Sequence, residues 1–262
     1  MKKIILLLMG SCLLQTGWAQ NSKSPRQLKK EEKRQRINAL VRQEEEGVII
    51  YKKHSVLGVK LTTDGYGGFF EIGKAQSVKK SILFQLEFSE RKHAKEEKQN
   101  NPFAPTAPLI FGKQNFFYPV KLGIQQQYLF GNKGNKNGVS ITGNFGGGFI
   151  VGLLRPYMME VDKGGQRVFI QYDSPDSLLF VNGPFYGGPS FGTGWNKLKI
   201  TPGAYIKPSV RFDYGRYNEM VSAIEVGFNA EFYSKKIPQM IRTKEKNFFF
   251  SGYVALVFGR RK

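Results

Sequence analysis

The stretch Ser81-Ile82-Leu83-Phe84-Gln85-Leu86-Glu87-Phe88-Ser89-Glu90-Arg91 sets Ile82, Phe84, Leu86 and Phe88 against Gln85, Glu87, Ser89 and Arg91 at every second position. Successive side chains of a strand point to opposite faces, so this spacing describes a strand with one apolar and one polar face. Seven more segments repeat it, at about 55–63, 66–73, 116–130, 138–151, 200–214, 220–233 and 247–259. Asp64-Gly65 between the first two is a tight hairpin signal. Gly146-Gly147-Gly148 weakens the fifth segment but permits a strong bend. Pro202 and Pro208 count against the sixth, because proline removes a ladder donor.

Upstream, Lys2 and Lys3 precede an apolar run from Ile4 to Leu14 and a short polar stretch ending Gly17-Trp18-Ala19-Gln20. That is the layout of a secretory signal peptide, cut between Ala19 and Gln20. Met9-Gly10-Ser11-Cys12 leaves a second reading open, a lipidated cysteine. Cys12 is the only cysteine, so cleavage after Ala19 leaves no disulfide, thiolate nucleophile or cysteine metal site. His54 and His93 stand apart in polar surroundings and read as solvated residues. No catalytic, cofactor or metal constellation emerges.

Removing residues 1–19 leaves 38 basic against 20 acidic residues, a net charge of +18. A secreted chain with that charge meets phospholipid headgroups and lipopolysaccharide phosphates rather than nucleic acid. The mature sequence has no apolar run near the roughly 18 residues of a membrane-spanning helix. If it crosses a membrane it does so as a closed barrel, because lipid offers no partner to unpaired backbone groups.

The expected organisation is therefore a signal peptide (1–19), a basic periplasmic segment (20–50) and an all-β, antiparallel transmembrane barrel of about eight strands (51–262). In the segment, Ser24 as N-cap, Pro25 and Gln27 mark a helix start, and Gly47 a stop. The charge run Lys29 to Arg36 fits a solvated helix, a disordered tail or an arm that docks on a partner.

Connections at about 74–80, 131–137 and 215–219 are short, while those at about 92–115, 152–199 and 234–246 are long. Membrane barrels show this asymmetry, with short periplasmic turns and long external loops, and it puts both termini in the periplasm. A hairpin within 152–199 would raise the count to ten strands. A soluble β-sandwich would also alternate, but it accounts less well for so aromatic an apolar face.

The polar faces supply Lys60, Arg91, Lys121, Lys207 and Arg211 against Glu71, Glu87, Asp213, Glu225 and Glu231. Eight strands enclose room for side chains only. These charges must then pair in a rigid, filled lumen, a reading preferred over an ion path. The alternative, a small lipid-active outer-membrane enzyme or transporter using the barrel rim, rests on His93 with Ser89 and Glu90 nearby. The long loops, including Pro102 to Phe111 and Asn182 to Trp195, combine aromatic, apolar and proline residues and point to a protein partner.

The Lys-Lys signal, the glycine-aromatic strands, the aromatic stretch Tyr253 to Phe258 and the Gly259-Arg260-Arg261-Lys262 tail resemble small outer-membrane barrels of the Bacteroidota. These include the PorT-like barrels associated with type IX secretion. The resemblance covers about residues 55–262. It implies a non-enzymatic accessory, assembly or scaffold component of a membrane complex.

Overall fold

The computed structural model describes residues 26–27, 29–32, 35, 52–100, 107–133, 138–172, 176–215 and 220–262. The expected cleavage pair Ala19 and Gln20, the cap Ser24, and Gly47 lie outside them. Of the basic segment, Arg26, Gln27, Lys29 to Glu32 and Gln35 are helical.

The described residues then form thirteen strands: β1 (Lys53–Thr62), β2 (Gly65–Ala75), β3 (Lys80–Arg91), β4 (Lys98–Gln99), β5 (Leu109–Ile110), β6 (Asn115–Gly131), β7 (Ser140–Pro156), β8 (Met158–Lys163), β9 (Gln166–Gln171), β10 (Phe185–Gly187), β11 (Lys199–Asp213), β12 (Met220–Ile237) and β13 (Lys246–Arg261). Eight close into an antiparallel barrel in the order β1-β13-β12-β11-β7-β6-β3-β2. Each is one of the eight segments read from the alternation. The stretch 152–199 does hold a further hairpin, but β8, β9 and β10 form a sheet of their own, so the barrel stays at eight.

Both prolines of β11 sit where they cost least. Pairing with β12 starts at Gly203, after Pro202, and skips Lys207 and Pro208 between Ile206↔Ala230 and Ser209↔Gly227. The glycines of β6 and β7 allow strands to approach closely on the inner face. A Cβ on Gly148 would lie 2.2 Å from the Leu122 carbonyl oxygen, and one on Gly123 2.3 Å from the Tyr205 hydroxyl.

Outward, every strand of the barrel presents large apolar side chains, from Val151 at 36% exposure to Phe149 at 78%. A sandwich would bury such a face against a second sheet. The closed barrel leaves it as a continuous belt, the surface that strands present to hydrocarbon.

The two ends differ. The short connections 76–79, 132–139 and 214–219 join strands at the end that carries Lys53 and Arg261. At the other end the connections span 63–64, 92–114, 157–198 and 238–245. Here β8–β10 and the short helix Ser177–Asn182 pack a separate core of Ile110, Tyr157, Met159, Val161, Ile170 and Phe180. This cap is a folded layer with its own apolar interior.

The rim at the loop end is stepped. Pairing of β1 with β13 stops at Thr62↔Tyr253, and a last bond runs from the Thr63 N–H to the Gly252 carbonyl. β13 continues back to Lys246 with β12 as its strand partner.

Candidate functional site

All ten lumen charges face inward and are buried, between 0% and 6% exposed. Alternation alone put them there. Nine of them fall into two chains of alternating sign. In the first, Glu87 accepts from Lys60 (2.5 Å) and Lys121 (2.7 Å), Lys121 reaches Glu231 (2.8 Å), and Glu231 meets Arg91 (3.0 Å). Asp64 of the hairpin closes that chain on Arg91 at 2.8 Å. In the second, Arg211 grips Glu71 through two bonds of 2.8 Å and also donates to Glu225, which holds Lys207 at 3.1 Å.

Uncharged side chains join the chains. Lys60 and Lys207 both lie over the Tyr253 ring, 4.5 and 5.0 Å from its centre, and the Tyr253 hydroxyl donates to Glu225 at 2.6 Å. Lys207 also donates to Gln85, which accepts from Gln125. Buried charge is tolerable only when each group has partners of this kind.

Asp213 is the exception among the ten. Its partners are Lys133 (3.3 Å) and Arg261, near the turn end. Both lie beyond the alternating core of a strand, so the pattern carried no signal for them. His54 corrects another expectation: it is 4% exposed and its Nε2 lies 3.3 Å from Glu71. The strand begins at Lys53 rather than 55, which puts His54 in phase with Gly58 and Lys60 on the inner face.

An aromatic layer covers the charged middle toward the loop end, while toward the turn end a cavity of about 180 Å³ lined by His54, Gln127, Arg211, Asp213 and Arg261 reaches the charges. Phe117, Tyr233 and Phe249 pack as a trio with ring centres 5.3 to 5.8 Å apart at the loop end, and the Arg91 guanidinium lies 4.6 Å from the centre of Phe249. Val56, Phe69, Val221, Ala223 and Val257 form a second apolar cluster between β1, β2, β12 and β13. The middle of the lumen is filled by packed side chains.

The rim alternative fares differently. Ser89 faces the lumen, and its hydroxyl donates to the Pro119 carbonyl at 3.3 Å. His93 lies past the end of β3, and its Nδ1 accepts from the Lys95 N–H at 3.2 Å. Glu90 accepts from the Tyr66 hydroxyl. The structure does not bring Ser89, Glu90 and His93 together. Burial lowers the His93 pKa, which keeps the ring neutral at pH 7.

Within the cap, the Tyr157 hydroxyl accepts from the Ile110 N–H at 2.8 Å, and burial pushes its pKa up to about 12. Tyr157→Phe should loosen the cap by about 1 kcal/mol, the worth of one such bond. Limited proteolysis should then cut the 107–115 and 157–198 connections faster, with the barrel strands still protected.

No known protein family matches the chain, and no curated protein does. Among solved structures it is similar to Neisserial surface protein A, at 12% identity over 80% of this chain and 96% of that one, with a TM-score of 0.36. The N-terminal β-barrel domain of Pseudomonas aeruginosa OprF matches at 9% identity, 80% and 98% coverage, and a TM-score of 0.35. Ail, the attachment invasion locus protein of Yersinia pestis, matches at 8% identity, 81% and 100% coverage, and a TM-score of 0.38. The eight-stranded barrel itself is established by this chain's own strand pairing.

Proposed function

We propose that this chain is an integral outer-membrane barrel, termini in the periplasm, that works as a non-enzymatic scaffold in a membrane protein complex. The setting suggested by its resemblance to PorT-like barrels is type IX protein secretion. The observation that carries the reading is the division of the molecule into a belt suited to lipid, a plugged lumen and a folded cap. A plugged lumen leaves recognition to the surfaces, and the cap exposes Leu178 at 76% and Phe191 at 78%. Apolar side chains so exposed on a folded loop layer suit a protein partner. The excess of basic residues suits the anionic lipids around it.

Two measurements test this. The full chain, extracted from outer membranes, should run faster on gels unheated than boiled, as a closed barrel does. A tagged copy should retain a stoichiometric protein partner that is lost on Leu178→Asp/Phe191→Asp with the heat-dependent shift kept. A monomer whose deletion alters lipid A mass, restored by wild type but not by His93→Ala, would overturn the scaffold reading.

A further inference from the structure

The stepped rim leaves part of one strand without a neighbour. In an antiparallel ladder the residues that bond toward a given side alternate, so the bond from Thr63 to the Gly252 carbonyl fixes the parity. Phe250, Phe248 and Lys246 therefore turn their N–H and C=O groups toward the side that β1 has vacated. Among the described residues no backbone bond fills that side. In hydrocarbon each unpaired group would cost several kcal/mol, and in water such an edge is a template for another strand.

A cleft of about 200 Å³ lies against this edge, lined by Asp64, Lys92, His93, Lys244 and Lys246 among others. Gln239 lines it too; it is 6% exposed, and its side-chain Nε2 has no hydrogen-bond partner. Lys92, Lys244 and Lys246 are exposed, and the one carboxylate lining the cleft, Asp64, is already held by Arg91; Glu245 is exposed between the two lysines but does not line it, so the cleft keeps a basic excess.

We infer that the edge of β13 from Lys246 to Phe250 is a docking site for an extended acidic segment of a partner protein, added as a strand. The backbone groups of Lys246, Phe248 and Phe250 supply the ladder, and acidic side chains meet Lys92, Lys244 and Lys246. A second copy of this chain fits poorly, because it would bring a lysine-lined edge against a lysine-lined edge. A phosphorylated lipid matches the charge but leaves the alternating donors and acceptors unread. The inference rests on the proposed partner-binding role and names where that partner's chain would lie.

The probe is a blocked hexapeptide of alternating Glu and Val, added to the full chain in detergent. Hydrogen exchange should slow at the amides of Phe248 and Phe250. Phe248→Pro removes one edge donor without touching the β12 side and should weaken binding by roughly tenfold, the worth of a net hydrogen bond or slightly more. Lys244→Glu/Lys246→Glu should lose the acidic peptide and gain its Lys-Val counterpart. Equal binding of both peptides by wild type, or unchanged binding by Phe248→Pro, would overturn the site. So would protection by diphosphoryl lipid A alone, or protection that rises with protein concentration without peptide. Each variant must keep its heat-dependent gel shift. If wild type lacks that shift, the barrel reading fails first.

Discussion

Arg211→Met is expected to destabilise the folded barrel by about 3–5 kcal/mol, the usual cost of removing one member of a buried ion group. Arg211 is 3% exposed and is the group between Glu71 and Glu225, so its loss strands a carboxylate in the lumen. Glu225 keeps Lys207, Asn144 and the Tyr253 hydroxyl, whereas Glu71 keeps His54. The double variant Glu71→Gln/Arg211→Met should therefore recover much of the loss, since it removes both charges together. The readout is the urea midpoint for loss of the fast-migrating unheated band. A single-variant cost under about 1 kcal/mol, the scale of an exposed pair, would mean that the ion chains do not hold the lumen.

Leu122→Arg should lower the stability of the chain in lipid vesicles by about 2–4 kcal/mol, as found for a cation at the bilayer midplane. Leu122 stands near the middle of β6, points outward and is 61% exposed. On a water-facing sheet the same exchange would fall within about 0.5 kcal/mol, so the variant separates a lipid-facing belt from a wetted one. Phe191→Arg, on the loop cap, serves as the control and should change vesicle stability by far less. Equal effects at the two positions would sink the assignment of the belt to hydrocarbon.

The barrel was legible because strand parity is a two-state code. Once Phe84, Leu86 and Phe88 are assigned outward, Gln85 and Glu87 must point inward, and the structure places them there. The code fails where a strand's first residue is misplaced, as for His54, and where charges lie in turns or at strand ends, as for Lys133 and Arg261. It is also silent on partner choice: nothing in the spacing says that Arg211 meets Glu71 rather than Glu87. The cap was illegible for a different reason. β8 and β9 are six residues each: β8 alternates, Met159 and Val161 buried against Glu160 and Asp162, but over too few residues to stand out, while β9 carries Val168, Phe169 and Ile170 in a row and shows no two-residue period. Tyr253 shows that an aromatic residue in a lipid-facing strand can still point inward, where it sits between two lysines and a glutamate.

The grip of Arg211 on Glu71 joins residues 140 apart in sequence, and that of Lys207 on Gln85 joins residues 122 apart. Contacts of such high order form late, after the loop-closure entropy between them has been overcome. Until β11 faces β2 across the lumen, Glu71 lacks Arg211 and Gln85 lacks Lys207, although pairs such as Lys121 with Glu87 and Arg211 with Glu225 need no such approach, and a half-built sheet in lipid also has two open edges. Closing the ring and completing the neutralisation of the interior are thus coupled, because the last strand pairing brings the last carboxylate its cation.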